Sequence, residues 1–198
     1  GFRLFYQPIA TLAAHGEERA HYEILVRMLD GDGKLLPPGA FMPAAERHNL
    51  MPAIDRWVAA QVISRLATVH GGREADLPIY SINLSGATLA DKGIVDFVRK
   101  QLEAHRVPAR ALGFEISETT ALANLAQAAC VLRDLKELGC HITLDNLGSA
   151  PSFIACLKNL PVDFLKLGGV LVRDVARDQV AQTLVETINQ LAHVMVIQ

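Results

Sequence analysis

The chain has 198 residues, of which 51% are hydrophobic and 20% are charged. This amount of apolar material predicts a single globular domain over residues 1–198 with a substantial core, and it excludes a disordered chain. The net charge is −2 and Lys and Arg are spread along the sequence, which excludes binding to a nucleic-acid polymer through bulk electrostatics.

Short β-branched or aromatic runs alternate with longer stretches of helical spacing. In chain order, the predicted strands are RLFYQPI (3–9), HYEILVR (21–27), PIYSINL (78–84), LGFEIS (112–117), HITL (141–144), FLKL (164–167) and VMVIQ (194–198). The clearest predicted helices run over 53–69, 91–105, 121–138 and 178–192, and Gly and Pro residues punctuate their ends. The segment PPGAFMPAAE (37–46) is predicted to be a Pro-rich loop that opens a short helix, as a lid or rim insertion.

Repeated strand–helix–strand units imply a mostly parallel sheet with helices outside it, either an open doubly wound sheet or a closed (β/α) barrel. The chain contains neither G-x-G-x-x-G nor G-x-x-x-x-G-K-[ST], so the folds that hold phosphate at a first βα turn lose support. The barrel is therefore the favoured α/β architecture.

Polar residues interrupt strands that should be apolar. A charge inside a strand that is buried on both faces is costly unless another group pairs with it. Singly, each such residue is more often a satisfied strand-end group, but parallel barrel strands bring their carboxyl ends to one mouth, where active sites lie. No His or Cys joins the group with metal-binding spacing, so its oxygen donors indicate a hard cation such as Mg²⁺, Mn²⁺ or Ca²⁺. The five residues are Glu23, Asn83, Glu115, Asp145 and Lys166.

These residues belong to a motif series that resembles the EAL domain family. The series is QPI (7–9), EILVR (23–27), NLS (83–85), FEISE (114–118), LDNLG (144–148) and LKL (165–167), and it runs through the whole chain. The resemblance implies a modified (β/α)₈ TIM-like barrel that binds the bacterial second messenger cyclic di-GMP. In active members, two Mg²⁺ or Mn²⁺ ions activate the water that hydrolyses this ligand to pGpG.

The resemblance also implies roles for individual residues. Glu23, Asn83, Glu115 and Asp145 are the expected ligands of Mg²⁺ or Mn²⁺, with Ca²⁺ as a non-catalytic substitute. Lys166, together with Glu23, is the expected catalytic group, because the lysine would orient or deprotonate the attacking water.

For the nucleotide itself, the resemblance implies five ligand-binding residues. Arg27 would hold a phosphate, since its planar fork suits that role, and Asp55 would accept a hydrogen bond from a guanine edge. The alternatives are that Pro43 only starts a helical turn and that Asp55 pairs with a neighbouring arginine, Arg47 or Arg56, on a solvated face. The full set is Gln7, Leu25, Arg27, Pro43 and Asp55.

The chain departs from the family pattern at several positions. Active members carry two aspartates in D-D-F-G, whereas this chain has Asp145-Asn146 followed by Leu147-Gly148, and SAP (149–151) replaces a glycine-tyrosine stretch. A neutral amide offsets less of the repulsion between two divalent ions about 4 Å apart, so Asn146 is a weakened ligand position. Gly168 stands where an aspartate usually follows the lysine. Ile24 replaces the eponymous alanine, which need not disturb the glutamate beside it.

Three functions compete on these residues. A degenerate receptor that binds cyclic di-GMP with weak or no hydrolysis is favoured by Asn146 and Gly168. An active phosphodiesterase is favoured by the retained carboxylates and Lys166. The third is an interaction scaffold that binds no nucleotide, and the retained Gln7, Arg27 and Asp55 argue against it.

The chain stops at VMVIQ, the predicted start of a seventh strand, whereas a complete barrel takes about 250 residues. We therefore expect the barrel to lack its last βα units in this chain.

The resemblance implies possible GGDEF or sensory domains in a longer protein and a possible homodimer. Three cysteines without a C-x-x-C pair favour a cytoplasmic location, and no apolar run reaches the roughly 20 residues of a membrane span, so we expect no membrane contact from this chain.

Overall fold

The computed structural model describes residues 1–10, 19–70, 77–91, 93–147, 153–195 and 197. One sheet runs through these ranges, in the order β1-β2-β4-β5-β6-β7 with β3 beside β2. Its strands are β1 Phe2–Pro8, β2 His21–Leu29, β3 Leu35–Leu36, β4 Ile79–Asn83, β5 Leu112–Ser117, β6 His141–Leu147 and β7 Phe164–Leu167. The pairs from β2 to β7 are parallel, whereas β1 and β3 run antiparallel to β2. The predicted α/β fold with a mostly parallel sheet is confirmed.

Helices connect the parallel strands, and two of them begin directly at strand ends. Ser85 follows β4 and its side chain accepts a hydrogen bond from the Thr88 amide, and Ser117 ends β5 and caps the next helix in the same way. In the described ranges no helix combines the length and the apolar composition that a membrane span requires. The helices are α1 Pro38–Arg47, α2 Met51–His70, α3 Gly86–Leu89, α4 Ile94–His105, α5 Glu118–Ala123, α6 Leu125–Glu137, α7 Phe153–Asn159, α8 Gly169–Asp174 and α9 Gln179–Met195.

Two predicted elements differ from the structure. The predicted helix 121–138 is two helices, α5 and α6, because Asn124 separates them and its side chain caps α6 by accepting from the Gln127 amide. The predicted strand VMVIQ is wrong, because Val194 and Met195 belong to α9; a short apolar run fits a helix as well as a strand. The segment SAP (149–151), which was interpreted as a departure from the family pattern, lies outside the described residues.

The core lies between the sheet and the helices. Phe114 and Leu144 of β5 and β6 are fully buried, as are Val98 of α4 and Leu132 of α6. These residues come from nearly continuous apolar runs, as expected for parallel strands with covered faces. The helices therefore fix the strands through apolar contacts on one face of the sheet.

The opposite face of the sheet is polar even where it is buried. Ser81 is fully buried on β4, and its Oγ shares a hydrogen bond of 2.6 Å with Nε2 of His21 on β2. Burial lowers the pKa of His21 to about 4, so the ring is neutral near pH 7. Gly113 on β5 makes room for this pair, because a Cβ there would lie 2.5 Å from Ser81 Oγ.

Candidate functional site

Five parallel strands carry the predicted site residues: Asn83, Glu115, Asp145 and Lys166 lie in the second half of their strands, whereas Glu23 is the third residue of β2. Side chains alternate between the two faces of a strand, so the residue two positions beyond a buried polar residue returns to the same face. Ser81 is followed in this way by Asn83, and Asn83 stands opposite Glu115 in the β4–β5 register. Asp145 stands opposite Ser117 in the β5–β6 register. The fold thus directs the predicted site residues toward one region.

Lys166 lies at the centre of this region. Its Nζ is 2.7 Å from Oε2 of Glu23 and 2.6 Å from Oε2 of Glu115. Oδ1 of Asp145 is 3.7 Å from the same nitrogen. The Asn83 amide donates a hydrogen bond of 2.9 Å to Oε1 of Glu23. The structure therefore brings these five residues into one connected set of contacts, hereafter the Lys166 cluster.

Burial shapes the charges in the Lys166 cluster. Glu115 is fully buried, and burial raises its pKa to about 7 although the adjacent Lys166 ammonium opposes the shift. Burial alone disfavours the Lys166 ammonium, but the carboxylates of Glu115 and Glu23 outweigh it and raise the pKa of Lys166. Lys166 is thus protonated near neutral pH, and one ammonium faces three carboxyl groups.

The donors of the Lys166 cluster suit a hard cation. Oε1 of Glu115 is buried and has no hydrogen-bond partner among the described residues, which leaves an orphaned acceptor among carboxylate and amide oxygens. The residues present therefore fit Mg²⁺ or Mn²⁺. Within the described residues, no three His, Cys, Asp or Glu side chains stand together as a metal-binding group; the Lys166 ammonium lies among the carboxylates instead.

Asn146 and Gly168, two of the predicted departures from the family motifs, lie side by side. Asn146 has φ of 63°, a left-handed conformation that Asn tolerates better than most residues. The pairing of β6 with β7 shifts between Leu144 and Leu147, around this residue. A Cβ on Gly168 would lie 2.9 Å from Oδ1 of Asn146. The amide side chain therefore occupies space that any larger residue at position 168 would need.

Three of the predicted ligand-binding residues lie along one strip of β1 and β2. Gln7 is directly opposite Glu23 in the antiparallel pair, so the two side chains share a face. Leu25 and Arg27 follow Glu23 at two-residue spacing on that face. The Arg27 guanidinium donates to the Val26 carbonyl at 2.9 Å. As ligand contacts, Gln7, Leu25 and Arg27 stay predictions.

Pro43 lies in the segment that was predicted to be a loop opening a short helix. Nearly all of that segment is helix α1, whose Phe41 and Ala45 are buried against the core. Pro43 is exposed inside the helix rather than at its start. Its expected contact with the nucleotide stays a prediction.

Asp55 is only 5% exposed on α2. Its Oδ2 accepts hydrogen bonds from the Ser85 amide at 2.9 Å and from the Thr88 hydroxyl at 2.5 Å. Burial raises the pKa of Asp55, and these hydrogen bonds oppose the shift. The alternative of an ion pair on a solvated face is wrong, because Asp55 is buried and Arg56 pairs with Asp91 at 2.6 Å. Asp55 ties α2 to the turn after β4, and its expected contact with a guanine edge stays a prediction.

Sequence reasoning missed the polar layer beneath the Lys166 cluster. His21, Ser81 and Thr143 are buried, and Oγ1 of Thr143 has no partner among the described residues. Each lies two positions before a residue of the Lys166 cluster on its own strand. That two-residue spacing is the signal that could have found them.

Comparisons with known proteins agree with this geometry. A family model described as the EAL domain matches residues 1–198. The chain is 36% identical over 195 residues to the cyclic di-GMP phosphodiesterase PdeB of Shewanella oneidensis. This aligned region covers 98% of this chain and 22% of PdeB. It is 31% identical over 192 residues to the bifunctional diguanylate cyclase/cyclic di-GMP phosphodiesterase MucR of Pseudomonas aeruginosa, covering 97% of this chain and 28% of MucR. The chain therefore spans only about a quarter of the length of these relatives.

A solved structure extends the comparison to the fold. The crystal structure of the FimX EAL domain from Pseudomonas aeruginosa bound to c-di-GMP matches with a TM-score of 0.87 and 32% identity, covering 97% of this chain and 75% of that chain. The predicted TIM-like fold is confirmed by this likeness, and the family resemblance is confirmed by the match over the whole chain. The chain belongs to the EAL domain family.

Proposed function

We propose that this domain binds cyclic di-GMP as a signalling receptor and hydrolyses it weakly or not at all. The observation that carries the proposal is that Oδ1 of Asn146 lies 2.9 Å from the point that a Cβ on Gly168 would occupy, beside the Lys166 cluster. Where the family pattern has two carboxylates, this site has a neutral amide packed against a glycine. The FimX EAL domain bound to c-di-GMP supports a ligand of this class.

Binding would use the strip on β1 and β2. Arg27 would hold a phosphodiester through its planar fork, and Leu25 would supply an apolar contact to a base. Gln7 stands opposite Glu23, so it would connect the nucleotide to the Lys166 cluster. Pro43 and Asp55 would line the more distant guanine pocket.

A bound Mg²⁺ or Mn²⁺ would neutralise phosphate charge and activate a water when present. Glu23, Asn83, Glu115 and Asp145 would hold it, and Lys166 would position the attacking water. With Asn146 as a neutral donor and no carboxylate at Gly168, a second cation would have too few anionic ligands. Weak or absent hydrolysis follows from that deficit.

The runner-up function is an active metal-dependent phosphodiesterase that converts cyclic di-GMP to pGpG. One observation favours it: within the part of the chain that the structure describes, Glu115 retains a buried oxygen without a partner beside a charged Lys166, which is an arrangement that a catalytic cation would complete. A scaffold that binds no nucleotide is the weakest alternative, because it gives no reason for this buried polar cluster.

The test is a calorimetric titration of cyclic di-GMP into the protein with Mg²⁺ present, followed by chromatography of the same sample for pGpG. Binding with intact nucleotide supports the receptor. The appearance of pGpG at a rate typical of active members would establish the phosphodiesterase, and the absence of binding would leave the scaffold.

The variant Asn146→Asp tests the explanation for weak hydrolysis. Restoring the charge should raise hydrolysis several-fold if the missing carboxylate limits the reaction. The matched control is Asn49→Asp, because Asn49 is exposed and also has positive φ, at 54°. If Asn146→Asp folds normally and gains nothing over this control, the argument from charge fails.

We propose further that residues 1–198 form one domain of a longer cytoplasmic signalling protein. Its neighbours would be GGDEF or sensory domains, which the bifunctional name of MucR supports. Homodimerisation through this domain also stays a proposal. Size-exclusion chromatography with light scattering, with and without cyclic di-GMP, measures it directly.

A further inference from the structure

A second arginine, Arg3, lies on the strip of β1 and β2 that carries Gln7, Leu25 and Arg27. In the antiparallel pairing of β1 with β2, Arg3 is directly opposite Arg27. Directly opposed residues of antiparallel strands point to the same face, with Cβ atoms about 4.5–5.5 Å apart. Arg3 therefore shares the face of Arg27 and, further along the strands, of Gln7 and Glu23.

The two guanidinium groups lack a carboxylate partner among the described residues. Arg3 donates to the carbonyl of Phe2, at 3.2 Å, and Arg27 to that of Val26, at 2.9 Å. Like charges placed directly opposite each other on a sheet destabilise it. Two arginines that face one another without an acid are suited to share an anion, because an anion between them removes the repulsion and accepts several N–H bonds.

The order of residues along the strip fits an extended nucleotide. The facing pairs are Gln7 with Glu23, then Phe5 with Leu25, then Arg3 with Arg27. Phe5 is 44% exposed, so its ring is accessible to a ligand base that lies on this face of the sheet. At about 3.3 Å per residue, the arginine pair lies roughly 13 Å from Glu23 along the strand. A phosphodiester held by the arginines and a base lying on Phe5 and Leu25 would span this distance.

We infer that Arg3 is a second phosphate-binding residue of the cyclic di-GMP site, acting with Arg27 from the facing strand. The inference rests on the proposed function. Arg3 would add one charge-assisted hydrogen bond to the phosphate. Phe5 would then provide an apolar surface between this hydrogen bond and the Lys166 cluster.

The test is a calorimetric titration of cyclic di-GMP into the parent chain and into Arg3→Gln at two salt concentrations. Arg3→Gln should weaken binding about 5- to 20-fold, the range expected for a charge-assisted hydrogen bond that is partly exposed, and the salt dependence should become shallower. Arg3→Lys should recover part of the loss, because it retains the charge but not the planar fork. The matched control is Arg65→Gln, because Arg65 is exposed on α2, away from the strip.

A double variant separates a shared anion from general charge effects. If one phosphate is held by both groups, Arg3→Gln/Arg27→Gln should lose less affinity than the product of the two single losses. Far-UV circular dichroism and thermal unfolding check that each variant is folded.

The outcomes distinguish the two proposals. If the parent chain binds cyclic di-GMP and Arg3→Gln binds within twofold of it, the inference about Arg3 is overturned and the proposed function stands. If Arg65→Gln weakens binding as much as Arg3→Gln does, the effect is general charge and the inference is again overturned. If the folded parent chain does not bind at all, the proposed function falls and Arg3 has no role in it.

Discussion

Substitution of Gly168 by alanine tests the contact that distinguishes this site. Gly168 has φ of −62° and ψ of 140°, a conformation that any residue adopts, so its backbone does not require glycine. What requires glycine is space: a new Cβ would lie 2.9 Å from Oδ1 of Asn146 and 3.0 Å from the carbonyl oxygen of Leu147. The Leu147 carbonyl also accepts the Gly168 amide at 3.1 Å, which restrains it from moving away.

The expected magnitude follows from two opposing effects. Overpacking of this kind costs about 1–3 kcal/mol, and replacing glycine where the backbone permits it returns about 0.4–1 kcal/mol through the unfolded chain. Gly168→Ala should therefore lower the free energy of unfolding by about 1–2 kcal/mol. For a chain of this length, the midpoint of thermal unfolding should fall by about 2–8 °C.

Urea unfolding followed by the fluorescence of Trp57, the only tryptophan, measures this change. The control background is Asn146→Gly, since glycine suits φ of 63° at that position and removes the nearer contact. Gly168→Ala should cost about 0.5–1.5 kcal/mol less in that background. An equal cost in both backgrounds would refute the contact, and a stabilised Gly168→Ala would show that the space is empty. An aspartate at position 168 also carries a Cβ. The single substitution Gly168→Asp would therefore bring that Cβ into the same close contacts with Asn146 and the Leu147 carbonyl.

Three further predictions concern the ligand, the charge cluster and the thiols. Arg27→Ala should weaken cyclic di-GMP binding by about 1.5–3 kcal/mol in a calorimetric titration, and unchanged affinity would exclude Arg27 as a phosphate clamp. Lys166→Met leaves three carboxyl groups without their cation, so urea unfolding should detect a loss of about 3 kcal/mol, part of which Mg²⁺ recovers; unaltered stability would contradict the ion-pair network. Ellman's reagent should label Cys130 alone in the folded protein, because Cys130 is exposed whereas burial raises the pKa of Cys140 to about 12 and Cys156 is also buried; rapid labelling of all three thiols would contradict the packing.

The convergence of the Lys166 cluster could be predicted from sequence because it depends on two simple regularities. Parallel strands end at the same edge of a sheet, and a polar residue at the end of an apolar strand is conspicuous. Glu115 interrupts the apolar run of β5, and Asp145 follows directly after the apolar run of β6, so the sequence indicates both. Lys166 was found for the same reason in β7.

Other features depend on tertiary contacts that no local pattern encodes. The contact between Asn146 and Gly168 arises where the pairing of β6 with β7 shifts, and such irregularities leave no clear trace in composition. The burial of Asp55 reflects the packing of α2 against the turn after β4, which the helix sequence alone does not reveal. The strand predicted at VMVIQ was wrong because Val194 and Met195 continue α9, and β-branched residues do not override an established helix.

The charge balance of the Lys166 cluster gives the neutral pair at 146 and 168 a physical reason. One ammonium already faces three carboxyl groups, and burial keeps the pKa of Glu115 near 7. Two more carboxylates in contact with each other would add repulsion that only bound cations offset. An enzyme benefits from that dependence, because the same cations activate its water. A receptor benefits from losing this dependence on bound cations, since its ligand-binding strip then stays assembled whether or not a pair of divalent ions is bound. Under the proposed function, the amide at Asn146 and the absent side chain at Gly168 would together favour binding over hydrolysis, because Oδ1 of Asn146 lies 2.9 Å from the point that a Cβ at position 168 would occupy.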